Sequence, residues 1–189
     1  GPQEELTKTN NCQPAIVAMT IACWEAYKTR HSQIDGYMAG LSLGEYSALV
    51  AAGALNFEDA IFLVRRRGEF MEEEAARHPG KMLSVIGLDL IKVKEICSQA
   101  KTEIANINCP GQTVISGAPE AIEKAQTLAK EKGAKLAVIL EVSGAFHSSF
   151  MREAALKLAK ELEKINITTP RFPVISNVIA RPVSSPDEI

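Results

Sequence analysis

Gly40-Leu41-Ser42-Leu43-Gly44 fits the pattern G-x-S-x-G, which can hold a serine hydroxyl out on a tight turn as a nucleophile. Alone the pattern is weak, and its setting strengthens it. It follows a predicted short apolar strand at residues 36–41 and opens a predicted helix at 43–52. Small residues at both flanks, Gly40 and Gly44, suit such a turn. The Leu43 backbone N–H, at the start of the new helix, can face a developing oxyanion. The plainer reading of the same residues is a glycine-rich strand-to-helix turn with a capping serine.

A serine nucleophile needs a base. Of the three histidines, His31 closes a helix beside Arg30, and His78 precedes Pro79-Gly80. Both read as solvated helix ends. His147 differs: it lies in Ser143–Phe150 (SGAFHSSF), where a strand exits through Gly144 into a helix. The end of a strand is a frequent place for a side chain that does chemistry. A helix-capping histidine is the alternative there. Arg67 is the third residue of interest. On a helix its neighbours three and four positions away are Leu63, Val64, Phe70 and Met71, all apolar, whereas Arg65 and Arg66 each have Glu69 in reach. Arg67 is therefore the arginine drawn inward, and a buried guanidinium needs an anionic partner. That partner is either a structural carboxylate or the carboxylate of a ligand.

The elements that must position these residues follow from periodicity and breakers. Helices are predicted at 13–30, 43–52, 56–77 (capped by Asn56), 90–100, 119–132 and 147–165, and strands at 36–41, 82–87, 103–108, 113–116, 135–142 and 172–178. Between residues 81 and 142 the order is β-α-β-β-α-β, a ferredoxin-like unit that can fold as a compact subdomain. The expected fold is α/β: a parallel-sheet core at 1–80 and 143–189 with this small subdomain inserted at 81–142.

Bulk properties narrow the classes. The chain has 189 residues, 46% hydrophobic and 23% charged, with a formal net charge of −2. Nucleic-acid binders usually carry a basic excess, so none is expected. The apolar run at 15–22 is too short to span a bilayer. Cys12, Cys23, Cys97 and Cys109 form no C-x-x-C pair and have no histidine at metal-ligand spacing, so no metal is expected. Isolated cysteines in apolar settings predict buried thiols in a reducing compartment.

Taken together these segments resemble a family, the malonyl-CoA:acyl-carrier-protein transacylases of fatty acid and polyketide synthesis. LTKTNNCQPAIVAMTIA is similar to the family's helix before the nucleophile elbow, and GLSLGEYSALVAAGAL to the elbow itself. LVRRRGEFMEE resembles its arginine-bearing helix, ANINCPGQTVISG a segment near the pantetheine arm of the thioester, and VSGAFHSSFM the histidine segment. The resemblance covers essentially the whole chain and implies an α/β-hydrolase-like core. It implies that Ser42 attacks the malonyl thioester with His147 as base and Leu43 N–H as an oxyanion donor. Arg67 would bind the free malonyl carboxylate, and Asn106 and Asn108 would line the substrate site. The acyl-serine would then be attacked by the phosphopantetheine thiol of acyl carrier protein. No cofactor is implied; malonyl-CoA and the carrier protein are the partners, in the cytoplasm or in a eukaryotic organelle. Lys81, Lys132 and Lys135 are candidates for contact with an acidic carrier, against the plainer reading of scattered solvated lysines.

Two departures stand out. Leu41 occupies a position where many members have histidine, although other members carry an apolar residue there. The family's chain also starts earlier, with a strand and a Gly-Gln-Gly loop, and ends later, so this sequence resembles the middle of the enzyme and is expected to turn over weakly. Phe146 before His147 resembles the malonyl-selective form. Competing readings are a serine hydrolase or thioesterase of the α/β-hydrolase type, which has no use for a carboxylate clamp at Arg67, and a truncated non-catalytic acyltransferase-like module.

Overall fold

The computed structural model describes residues 1–31 and 33–189. In chain order, α1 (Gln3–Leu6), α2 (Thr9–Lys28), α3 (Gly44–Ala51) and α4 (Phe57–Arg77) come first. The sequence dictates the start of α4: Asn56 Oδ1 accepts the Asp59 N–H at 2.7 Å, and Glu58 and Asp59 put negative charge in the first turn. Next come β1 (Lys81–Ile86), α5 (Leu90–Ala100), β2 (Glu103–Cys109), β3 (Gln112–Gly117), α6 (Pro119–Glu131) and β4 (Leu136–Ile139). The Asp89 side chain caps α5 by accepting the Lys92 N–H at 2.8 Å, and α6 starts with proline in its first turn. A 3₁₀ turn at Ser149–Met151 leads into α7 (Arg152–Leu162), and β5 (Val174–Ile175) and β6 (Pro182–Val183) close the chain as a short hairpin.

This mixed α/β chain divides into two units, Gly1–Glu69 with Leu158–Ile189, and Phe70–Lys157. In the second, β1 pairs antiparallel with both β3 and β4, and β2 pairs antiparallel with β3, giving the strand order β2-β3-β1-β4. Leu83 and Val85, two apart on β1, turn to the helices. There they meet Val93 and Ile96 of α5 and the Ile122–Ala125–Ala129 stripe of α6. In the first unit, Leu49, Ala52, Leu55 and Leu63 close over Val174 and Val183 of the hairpin. Val17 and Ile21, one turn apart on α2, pack against Val64.

Several elements differ from expectation. The strand expected at 36–41 reduces to one parallel bridge, Met38 with Val174. The strand expected at 172–178 is only the two residues of β5. The reason is that its hydrogen-bonding partner, β6, is itself two residues long. The helix expected at 147–165 begins later, because residues 149–151 wind as 3₁₀ behind the Ser148 cap. On α2 the buried stripe is Gln13, Val17 and Ile21, which leaves Ile16 and Met19 exposed on other faces. The expectation of buried thiols holds for Cys97, whereas Cys23 and Cys109 are exposed and Cys12 is half-buried. Among the described residues no helix is long and apolar enough to cross a membrane.

Candidate functional site

Ser42 sits at the junction between the Met38 bridge and α3 with φ +51°, a left-handed conformation that a non-glycine residue adopts at a cost of about 1–3 kcal/mol. The turn closes through Gly44 N–H to Leu41 C=O at 2.9 Å and Glu45 N–H to Ser42 C=O at 3.2 Å. The two glycines are unequal. A Cβ on Gly40 would lie 2.2 Å from the Gly44 carbonyl carbon, so only glycine fits; a Cβ on Gly44 would meet nothing within 4 Å. The expectation of a small residue at both flanks thus holds by close packing for Gly40 but not for Gly44. The Leu43 N–H, at the N-cap of α3, donates to no group among the described residues. It is therefore available to an oxyanion.

Arg67 projects from α4 to this turn. Its Nη2 donates to Ser42 Oγ at 2.8 Å, and its Nη1 donates to Gln13 Oε1 at 2.6 Å. Its neighbours on the helix behave differently: Arg65 and Arg66 both pair with Glu69. Arg67 forms no ion pair among the described residues. Its guanidinium lies 6.0 Å from the centre of the Tyr46 ring. Burial pulls the guanidinium below its ordinary pKa, opposed by its interaction with Tyr46. Burial likewise raises the Tyr46 hydroxyl, with Arg67 working against the shift and Glu45 adding to it. A partly desolvated cation with only neutral acceptors favours an anionic partner. Gly68 makes the geometry possible: a Cβ there would lie 2.5 Å from Asn10 Cα, so its absence lets α4 approach α2 closely enough for Arg67 to reach Gln13.

The structure therefore brings Ser42, Leu43 and Arg67 together within the first unit. His147, Asn106 and Asn108 belong to the second. His147 also has left-handed backbone, φ +57°. The segment around it is held at three points. Ser116 Oγ donates to Phe146 C=O at 2.6 Å, Ser148 Oγ donates to Ala145 C=O at 2.6 Å, and Glu103 accepts the Ser149 N–H at 3.0 Å. Asn106 is half-buried on β2, and Asn108 is exposed near its end. His31 is exposed and stacks on Tyr27, while His78 is exposed with its ring edge-on to Phe150. Lys81 pairs with Glu123 at 3.0 Å and Lys132 with Glu95 at 2.8 Å, so two of the three lysines considered for a partner surface already have acidic neighbours. Among the described residues no group of three or more His, Cys, Asp or Glu side chains could hold a metal ion.

Sequence reasoning missed Gln13 and Asn177. Gln13 is 5% exposed, a polar residue on the otherwise apolar stripe of α2, and that anomaly was the available signal. Asn177 contacts the serine turn from 135 residues away, and no local pattern marks it.

The first unit thus sets a serine in left-handed backbone just before α3, with the Arg67 guanidinium on its hydroxyl. In comparison with known proteins, the acyl transferase domain model matches residues 1–188, and the chain belongs to that family. Within it, the chain is 49% identical over 185 residues to the malonyl CoA-acyl carrier protein transacylase of Bacillus subtilis, covering 95% of this chain and 58% of that protein. It is 42% identical over 193 residues to the transacylase of the same name from Escherichia coli K12, covering 100% and 62%. Among solved structures it superposes with TM-score 0.93 on an acyl carrier protein S-malonyltransferase from Vibrio cholerae, at 39% identity, covering 100% of this chain and 63% of that one. A second match, at TM-score 0.95 and 42% identity, covers 100% and 62%; it comes from a complex of a type II PKS acyl-carrier protein with its malonyl-transacylase. The chain thus spans about three fifths of the length of these relatives.

Proposed function

We propose that this chain carries the centre of a malonyl-CoA:acyl-carrier-protein transacylase. Ser42 Oγ attacks the thioester carbonyl of malonyl-CoA while His147 takes its proton. The Leu43 N–H stabilises the oxyanion, the C–S bond breaks, and the CoA thiolate leaves with the proton from His147. The phosphopantetheine thiol of acyl carrier protein then attacks the acyl-serine ester. As His147 takes the thiol proton and returns it to Ser42 Oγ, a new C–S bond forms and the C–O bond to Ser42 breaks. Arg67 holds the free carboxylate of the malonyl group throughout, and Asn106 and Asn108 contact the pantetheine arm. Both thiol carriers are substrates, and no cofactor enters.

The observation that carries this reading is Arg67, a half-buried guanidinium 2.8 Å from the serine hydroxyl with no acidic partner among the described residues. A serine hydrolase acting on neutral esters has no use for such a cation, which is why the transfer reading is preferred. A malonyl carboxylate would replace the Gln13 and Ser42 oxygens as acceptor and free Oγ to react. The finer fold assignment belongs to the same reading. We take the Met38–Val174 parallel bridge as part of an α/β-hydrolase-like parallel core. We take residues 81–142, with strand order β2-β3-β1-β4, as a ferredoxin-like insert in a core of 1–80 and 143–189.

The test is labelling with malonyl-CoA carrying a radioactive acyl group, followed by peptide mapping. The expected result is one acid-stable label on the Ser42 peptide, absent from Ser42→Ala and discharged by added holo-carrier protein. Label on another residue, or label that carrier protein does not remove, would overturn the proposal.

A further inference from the structure

The geometry points to Asn177 as a positioning residue for the nucleophile, locked in its working orientation by Glu45. Asn177 lies in the turn between β5 and β6, all within the first unit. Its side-chain amide reaches both sides of the strained serine. Oδ1 accepts the Ser42 N–H at 3.1 Å, and Nδ2 donates to Gly40 C=O at 2.7 Å. Those two backbone groups are what the turn's own ladder leaves over, since that ladder uses Leu41 C=O and Ser42 C=O. One amide, with a donor and an acceptor at fixed separation, satisfies both.

Glu45 decides which way the amide faces. Its Oε2 accepts Asn177 Nδ2–H at 2.6 Å and the Asn177 backbone N–H at 3.3 Å. A flipped amide would set its oxygen against the Glu45 carboxylate and Gly40 C=O, and its nitrogen against the Ser42 N–H. Every contact would then be like against like. The backbone delivers Asn177 to this place through the pairing of β5 with Met38. Met38 N–H donates to Pro173 C=O at 3.0 Å, and Ile175 N–H donates to Met38 C=O at 2.8 Å, just before the turn begins.

Left-handed backbone at a non-glycine residue persists only where its surroundings over-determine it. The clamp supplies that constraint at the residue itself. It also occupies the Ser42 N–H, so the oxyanion role falls to Leu43. Without the clamp, Ser42 can relax toward ordinary φ and carry Oγ away from Arg67. Asn177 thus acts through Ser42, and the inference about rate rests on the malonyl-transfer reading above.

The test uses Asn177→Asp, alone and combined with Glu45→Gln, on the full chain with melting curves as a folding check. Aspartate keeps the size and the acceptor but loses the donor, and it faces Glu45 with like charge. Two quantities are measured: hydrogen exchange at the Ser42 amide, and the rate of acyl-serine formation from malonyl-CoA. In Asn177→Asp, Ser42 exchange is expected to rise about tenfold or more. Acylation should fall roughly 100-fold, with KM changed far less than kcat. The loss should shrink as pH falls, because one proton shared between the two carboxyls restores a donor. The double variant should regain about tenfold in rate, as the introduced glutamine amide donates to the introduced carboxylate. Freed Ser42 exchange with no acylation in parent or variant would support the clamp while striking the transfer reading. Unchanged Ser42 exchange, or freed exchange with acylation within about twofold of the parent, would overturn the inference.

Discussion

Two turns carry the residues assigned to chemistry, and both place a non-glycine residue in left-handed backbone: Ser42 at φ +51° and His147 at φ +57°. They lie in different units and are held by different means. At Ser42 an exposed side chain, Asn177, bonds the strained residue's own N–H. On the residues flanking His147 there are further ties. The fully buried Ser116 hydroxyl holds the carbonyl before it, and Glu103 holds the amide two residues after it. An exposed tie contributes little to stability but fixes an angle. A buried tie cannot be removed without stranding a polar group. The first turn is therefore expected to fail by geometry and the second by stability.

The largest expected effect removes the reactive atoms themselves. Ser42→Ala should abolish the acyl-enzyme. His147→Ala should slow its formation by about 10²–10⁴-fold, as loss of a general base does. Rapid-quench measurement of acyl-serine formation checks both, and equal, modest losses would break the division of roles between the turns. The two glycines sharpen the first turn. Gly40→Ala should destabilise by about 3 kcal/mol because its Cβ meets backbone, whereas Gly44→Ala should lie within about 0.5 kcal/mol of the parent in urea unfolding. Ser116→Ala probes the second turn. Leaving Phe146 C=O unsatisfied should cost about 1–3 kcal/mol, visible in the unfolding midpoint.

The smallest effect concerns pH. The hydrogen bond from Arg65 holds the Glu69 carboxyl below its ordinary value, with burial opposing it and the hydrogen bond from Arg66 adding to it. A depressed carboxylate stabilises the fold at neutral pH, and that stability is lost as pH falls through the acid range. The carboxylate is about a third exposed, with side-chain exposure 32%, so Glu69→Gln should flatten the acid limb of the stability curve by less than about 1 kcal/mol. Acylation at neutral pH should be unaltered, because Arg67, unlike Arg65 and Arg66, does not bond Glu69.

What was legible in the sequence was what local spacing encodes. The inward turn of Arg67 followed from its apolar neighbours at helical spacing, and the start of α4 followed from Asn56 and the acidic residues after it. The β-α-β-β-α-β order followed from alternating periods, and the structure has it. What was illegible depends on distant pairing. Residues 36–41 and 172–178 are apolar enough for strands, yet strand length is set by partners, and β6 offers only two residues. Within the apolar run at 15–22, Ile16 and Met19 are exposed, away from the Val17–Ile21 stripe. Asn177 and Gln13 touch the site from elements whose approach no short window of sequence reveals.

The most direct test of the central claim, that Arg67 selects a carboxylate-bearing acyl group for Ser42, is Arg67→Ala assayed with malonyl-CoA and acetyl-CoA in parallel. Malonyl loading is expected to fall roughly 10²–10³-fold, while acetyl loading is retained or rises, so the preference collapses. Equal loss with both acyl groups would contradict the account.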